Sequence, residues 1–317
     1  MIPAYNEEAT IGEVIGTIPR QIEGISKVEV LVVDDGSADK TVEVARDAGA
    51  DEIVSHTGNK GVGAAFSTGI DNALRMRADI IVNIDADGQF NARDIPRLIE
   101  PVLKNRADIA VCSRFLGEDS EPEMPFAKRF GNRVFTRLVS LLARQRFTDT
   151  QCGFRAYSRD TALRLVLFGG FTYTQEVFLE ACRKGLKIVE VPIRVKYSDV
   201  RSSRVVRNPF SYAIRALMII MRTVRDYTPL KFFGVIGVLV SLCGLVSGSY
   251  ILLHWLRTGL VSPHIPLAIL TGVFLTVGFQ LVILALIADM VGRNRRILED
   301  AFYLIKRENY GGKNADR

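Results

Sequence analysis

The chain has 317 residues, 48% hydrophobic and 24% charged, and its 41 Lys and Arg against 35 Asp and Glu give a formal net charge of +6. That composition excludes an intrinsically disordered chain, and the length exceeds the roughly 100–200 residues of a single domain, so a second unit is expected. The charge is uneven: no Asp, Glu, Lys or Arg falls between Lys231 and Arg257, or between Arg257 and Asp289, which excludes an ordinary soluble protein.

In chain order, Met1-Ile2-Pro3 leads straight into a polar segment, without the basic-then-apolar pattern of a secretory signal. Val28 to Val33 reads as a buried strand, Lys40 to Ala48 and Gly63 to Arg77 have helical spacing, and Asp79 to Ile84 and Ala107 to Cys112 are further apolar strands. Strand and helix in regular alternation predict a parallel α/β sheet, where ligands bind at the carboxyl ends of the strands. Cys112, Cys152, Cys182 and Cys243 lie far apart with no CxxC, which argues against a disulfide framework or a zinc site and for a reducing compartment.

Polar clusters sit where those strands end. Asp34-Asp35-Gly36-Ser37 follows the first apolar run; Ser37 or Asp39 can cap the next helix, which leaves Asp34 and Asp35 for a ribose hydroxyl or a base edge. Asn59-Lys60-Gly61-Val62-Gly63 lacks the third glycine of a dinucleotide fingerprint, since Phe66 stands there, and reads as a turn with Lys60 available to a phosphate. In Asp85-Ala86-Asp87-Gly88-Gln89 the two carboxylates converge only if the chain turns at Gly88, and converged carboxylates call for a hard cation such as Mg2+ or Mn2+. An Asx-type turn is the plainer alternative. Asp149 through Arg155 combines an acid, a glycine and an aromatic, and Arg201-Ser202-Ser203-Arg204 is a small basic loop.

Phe126 to Phe147 and Phe210 to Val224 carry apolar stripes beside arginines; each reads either as a helix packed on the sheet or as one lying on anionic headgroups. Phe232 to Trp255 and Ile265 to Ala288 are apolar runs long enough for a membrane span of about 20 residues. Arg222, Arg225 and Lys231 before them, and Arg293, Arg295 and Arg296 after, put both flanks in the cytoplasm. The basic excess is membrane-proximal and no nucleic-acid motif is present, so nucleic acid is not an expected partner.

Taken together and in this order, Pro3-Ala4-Tyr5-Asn6-Glu7-Glu8, Asp34 to Ser37, Asp85 to Gln89, Asp149 to Arg155 and the terminal pair of apolar segments resemble the family-2 glycosyltransferases of GT-A fold. The resemblance is closer to their polyprenyl-phosphate branch, which includes dolichyl-phosphate mannose synthases and bactoprenol glucosyltransferases. It implies an α/β GT-A domain with a mostly parallel central sheet over 1–200. A basic loop and interfacial helix over 201–231, two transmembrane helices within 232–290 and a basic cytoplasmic tail over 291–317 would follow. Pro3, Tyr5, Glu7 and Asp35 would hold the base and ribose of a GDP- or UDP-hexose, with Lys60, Asp85 and Ala86 also on the donor. Asp85, Asp87 and Gln89 would hold Mg2+ or Mn2+ and through it the diphosphate. Arg114, Arg129, Arg133, Arg201 and Arg204 would face the acceptor phosphate, and Asp87, Asp149 and Arg114 would serve catalysis.

The implied reaction is inverting transfer of a hexose to dolichyl or undecaprenyl phosphate at the cell membrane. Such an acceptor is already an anion and needs little or no general base, so Asp149 would only orient it. A lipid hydroxyl acceptor would instead make Asp149 a base, and a non-catalytic membrane-anchored scaffold is the remaining alternative. Processive relatives carry Gln-x-x-Arg-Trp, whereas the single tryptophan here, Trp255, lies inside an apolar run. Oligomeric state has no sequence signature. In relatives a full strand precedes the Pro-Ala-Tyr-Asn-Glu segment, where this chain has Met1 and Ile2, so a truncated first strand is expected.

Overall fold

The computed structural model describes residues 1–116, 126–165, 173–193, 195, 221 and 228–310. The chain forms two compact units, Met1–Arg204 together with Phe302–Arg317, and Val205–Ala301. Arg201, Arg204 and, apart from Met221, the expected helix from Phe210 to Val224 lie outside the described residues.

In the first unit, strand β1 (Ile2–Ala4), helix α1 (Ile11–Thr17), β2 (Leu31–Asp34), α2 (Thr41–Asp47), β3 (Glu52–Ser55), α3 (Val62–Arg75) and β4 (Ile80–Asn83) succeed one another. Then come α4 (Ile95–Leu103), β5 (Ile109–Ser113), α5 (Phe126–Ala143), β6 (Arg155–Ser158), α6 (Arg159–Arg164), α7 (Tyr173–Arg183) and β7 (Ile188–Pro192). The strands expected around Val28, Asp79 and Ala107 are all present, each shorter by one or two residues. Strands β1, β2 and β3 pair in parallel, with β2 central. The other sheet runs β4-β6-β5-β7, where β6 is antiparallel to both neighbours and β5 pairs β7 in parallel. Ile84 N donates to Met1 O (3.1 Å), so β1 and β4 adjoin and the layer reads β3-β2-β1-β4-β6-β5-β7.

Burial on both faces explains the apolar runs: every residue of β2 and of β5 is buried. Helix α4 shows the 3.6-residue period directly, with Ile95, Leu98, Ile99 and Val102 buried and a proline in its first turn, where the missing N–H costs nothing. Helix α5 buries Asn132, Phe135, Thr136 and Val139 and turns Phe130 and Leu141 outward, 61% and 75% exposed. It therefore packs on the domain with one face and carries an apolar, arginine-flanked stripe on the other.

The second unit contains α8 (Pro229–Thr258) and most of α9 (Ile265–Tyr310), both long and apolar enough to cross a membrane. Gly259, in the left-handed region at φ 71°, ends α8 with its N–H on Trp255 O (2.7 Å). The facing sides of the two helices are small: a Cβ on Gly278 would stand 2.7 Å from Ser241 N and 3.0 Å from Gly237 O. Thr271 Oγ1 donates to Ser247 Oγ across the pair (2.8 Å). The charged stretch after Ala288, which includes the start of the basic tail expected from residue 291, continues the helix to Tyr310, and its last part from Phe302 belongs to the first unit.

Candidate active site

The first two strands end in turns that lock into one another. Asn6 N donates to Ser37 Oγ (2.9 Å), Glu7 N to Thr41 Oγ1 (2.8 Å) and Glu8 N to Asp39 Oδ2 (3.2 Å). In return Ala38 N donates to Asn6 Oδ1 (2.8 Å) and Lys40 N to Glu8 Oε2 (3.0 Å). Tyr5 stands at this rim, 45% exposed. Both carboxylates expected to be spare have structural partners. Asp34 Oδ1 accepts from Ser37 N (3.0 Å). Asp35 accepts from Lys60 N (2.9 Å), Gly61 N (2.8 Å) and His56 Nδ1 (2.7 Å), and so ties the 56–61 turn to β2. Burial works to raise the Asp35 pKa, yet the amides of Lys60 and Gly61 and the His56 ring outweigh it and hold the carboxyl below its usual range. The two loops touch at Gly36, φ 75°, where a Cβ would stand 2.6 Å from Gly58 Cα; only glycine fits. Lys60 is exposed.

At the end of β4 the chain does turn: Gly88 has φ 72° and Gln89 N donates to Asp87 Oδ1 (3.0 Å). Desolvation and then the neighbouring Asp87 charge push the Asp85 carboxyl up to about 7, against the pull of Arg155 and Arg114, with Glu7 adding repulsion. Those influences put Glu7, Asp85, Asp87, Arg114 and Arg155 in one neighbourhood. Among the described residues no three His, Cys, Asp or Glu side chains form a closed metal cage. Two repelling carboxylates at a strand end nonetheless suit a hard cation that takes its other ligands from phosphate and water. Gly153 leaves the room: a Cβ there would stand 2.6 Å from Asp85 Oδ2.

The third group is a buried ion pair. Asp149 is fully buried and meets Arg114 in a fork, Nε to Oδ2 at 2.6 Å and Nη2 to Oδ1 at 2.9 Å. Gln151 N (3.1 Å) and Asn132 Nδ2 (3.3 Å) also donate to Asp149 Oδ1. Glu190 on β7 fixes the same segment from outside, accepting from Thr148 N (2.9 Å), the Thr148 hydroxyl (2.8 Å) and Asp149 N (2.9 Å). Arg114, expected at an acceptor phosphate, thus has its fork on Asp149. Arg129 and Arg133 lie on α5, Arg133 on its exposed face. Asn132 and Glu190 were not singled out from sequence, because each acts on a partner remote in the chain.

A family model for glycosyl transferase family 2 matches residues 1–165. The glycosyltransferase AglJ of Haloferax volcanii is 28% identical over 92% of each chain. The UDP-N-acetylglucosamine–dolichyl-phosphate N-acetylglucosaminyltransferase of Methanococcus voltae is 30% identical, over 71% of this chain and 97% of that one. Among solved structures, glucosyl-3-phosphoglycerate synthase from Mycobacterium tuberculosis, in complex with Mn2+, UDP and phosphoglyceric acid, aligns with a TM-score of 0.52 and 20% identity over 70% of this chain and 75% of that one. That likeness establishes the shared fold, in agreement with the α/β GT-A architecture expected.

Proposed function

The chain belongs to glycosyl transferase family 2, and on that premise we propose that it moves a hexose from a nucleotide sugar onto a membrane polyprenyl phosphate, with inversion at the anomeric carbon. That it is a glycosyltransferase follows from the family. The acceptor rests on one observation above all: Asp149 is buried, and its two oxygens carry the Arg114 fork and three further hydrogen bonds, from Arg114 N, Asn132 Nδ2 and Gln151 N. A carboxylate so committed is a poor proton acceptor, so the nucleophile should arrive already ionised, as a lipid phosphate does with its second pKa of about 6. The acceptor named for the Methanococcus voltae relative is of that kind.

In this scheme an oxygen of the lipid phosphate bonds to C1 of the sugar as the bond from C1 to the donor diphosphate breaks. The nucleoside diphosphate leaves with the electron pair, and no proton need move. Pro3, Tyr5, Glu7 and Asp35 bind base and ribose, with Asp35 acting through the turn it holds. Lys60 and the backbone at Ala86 lie along the diphosphate. Asp85, Asp87 and Gln89 hold Mg2+ or Mn2+, which when bound offsets the charge of the leaving group. Arg129 and Arg133, with Arg201 and Arg204, draw the acceptor phosphate in, and Arg114 and Asp149 orient it. A prenyl chain leaves the bilayer only at about 0.8 kcal/mol per CH2, so the candidate spans keep the catalyst where its substrate is. The exposed stripe of α5 meets anionic headgroups, and both flanks of the hairpin face the cytoplasm.

Membranes containing the protein, a divalent cation, polyprenyl phosphate and a panel of UDP- and GDP-hexoses should give a lipid-linked hexose by mass spectrometry, and folded Asp87→Asn should give none. Undiminished turnover by Asp87→Asn would remove the metal assignment. Transfer to a lipid alcohol but not to the phosphate would favour the hydroxyl acceptor.

A further inference from the structure

Beside Asp85 the sheet buries polar side chains that the scheme above leaves without work. Asn83 and Arg155 are partners across the antiparallel β4–β6 pair, and Tyr157 follows two residues later, on the same face by the alternation of a strand. All three are fully buried. Arg155 donates through Nε to Cys152 O (2.8 Å) and through Nη2 to Thr150 O (3.2 Å), and Asn83 Nδ2 donates to Gly153 O (2.8 Å). Two sheet side chains therefore hold three carbonyls of the loop that begins at Asp149 and ends against Asp85. The guanidinium carbon lies 4.7 Å from the centre of the Phe178 ring. Among the described residues no carboxylate is paired with Arg155. Arg155 Nη1, Asn83 Oδ1 and Tyr157 OH make no hydrogen bond of good geometry there, although Arg155 lies near enough to Tyr157 to pull against the rise that burial gives its hydroxyl.

An interior guanidinium without its own carboxylate is expensive unless some other negative charge offsets it. The carboxylate within its influence is Asp85, against which the loop it binds packs at Gly153; during turnover that charge is joined by a diphosphate that becomes more negative as it leaves. A divalent cation cancels only part of that sum. We propose that Arg155 is a positioning residue and the fixed counter-cation of the donor site. From beneath the sheet surface it offsets the charge of the bound and departing diphosphate. The inference rests on reading Asp85 and Asp87 as the diphosphate and metal site. It differs from a plain fold-holding role in one respect. A buried cation strengthens the binding of an anion and not of Mn2+ itself, whereas a loosened loop weakens both together.

The test is calorimetric, on the full chain in nanodiscs without acceptor, with thermal unfolding in parallel. Mn2+ is titrated alone, and then UDP and GDP at saturating Mn2+. Arg155→Gln should bind the preferred nucleotide at least tenfold more weakly with Mn2+ affinity undiminished, and Arg155→Lys should stay within threefold of the parent. Should Arg155→Gln not fold, Asn83→Asp sets a carboxylate beside the guanidinium and should weaken the nucleotide in the same way. Unchanged nucleotide affinity in the folded variants, or equal losses of Mn2+ and nucleotide affinity, overturns the proposal. If the parent binds neither Mn2+ nor nucleotide, the reading of Asp85 and Asp87 falls, and this inference with it.

Discussion

Asp149 and Arg114 make a pair whose side chains are 0% and 9% exposed, and their removal separates two chemistries. Asp149→Asn leaves a buried guanidinium without its carboxylate, a loss on the order of 3–5 kcal/mol when one member of such a pair is taken away. Thermal unfolding should fall accordingly, and Arg114→Met in the same chain should return part of the loss in a double-mutant cycle. A general base would behave otherwise, with turnover abolished and stability nearly untouched. Asp35 supplies a pH test. Its folded pKa lies below the unfolded value, so its contribution to stability is complete above about pH 4 and disappears as pH falls through the folded value. The stability gap between parent and Asp35→Asn should close as pH falls below about 4; a gap that persists unchanged in stronger acid would contradict the hydrogen bonds to Lys60, Gly61 and His56. Gly153→Ala should weaken Mn2+ binding several-fold, because its methyl group would stand 2.6 Å from Asp85 Oδ2. Unaltered binding would show that Asp85 has room to move.

Among the elements, the apolar strands β2, β4 and β5 and the acidic turns after two of them are legible from sequence; β2 and β5, buried on both faces, write themselves as unbroken runs. Strand β6 is not: Arg155-Ala156-Tyr157-Ser158 has no strand pattern, and its arginine is buried only because the preceding loop folds back over it. The partners of Asp35, 21 to 26 residues away, and of Asp149, 35 away in Arg114, are invisible to any local period. The end of α9 escapes for another reason. Charge after Ala288 marks the limit of a span, but the helix continues through Arg293–Asp289 and Arg295–Glu299 pairs one turn apart. Between α8 and α9 the contact depends on missing side chains. Gly278→Leu should force the pair apart and reduce cross-linking of cysteines engineered at facing positions, while Gly272→Leu, where an added Cβ meets nothing within 4 Å, should not. Equal cross-linking in both variants would refute the packed hairpin.

At the scale of the whole molecule, the catalytic unit is discontinuous in the chain. Phe302–Tyr310, the end of α9, belongs to it. Tyr303 OH donates to Asp160 Oδ1 (2.9 Å), Lys306 Nζ to Asp71 Oδ1 (2.7 Å), and Arg159 to Tyr310 O, while Arg164 lies over the Tyr303 ring. Partly exposed contacts of this sort are worth about 0–1 kcal/mol each. Tyr303→Ala with Lys306→Ala should therefore leave sugar transfer close to normal and show itself as faster amide exchange over 302–310; unchanged exchange would mean that the helix end is held by other means. This arrangement also orders the protein's birth. Synthesis runs from the N-terminus, so the catalytic sheet leaves the ribosome first and both candidate spans follow. The strip that finishes the catalytic unit's surface is translated after them. The catalytic unit thus gains its last segment only after both candidate spans have been made.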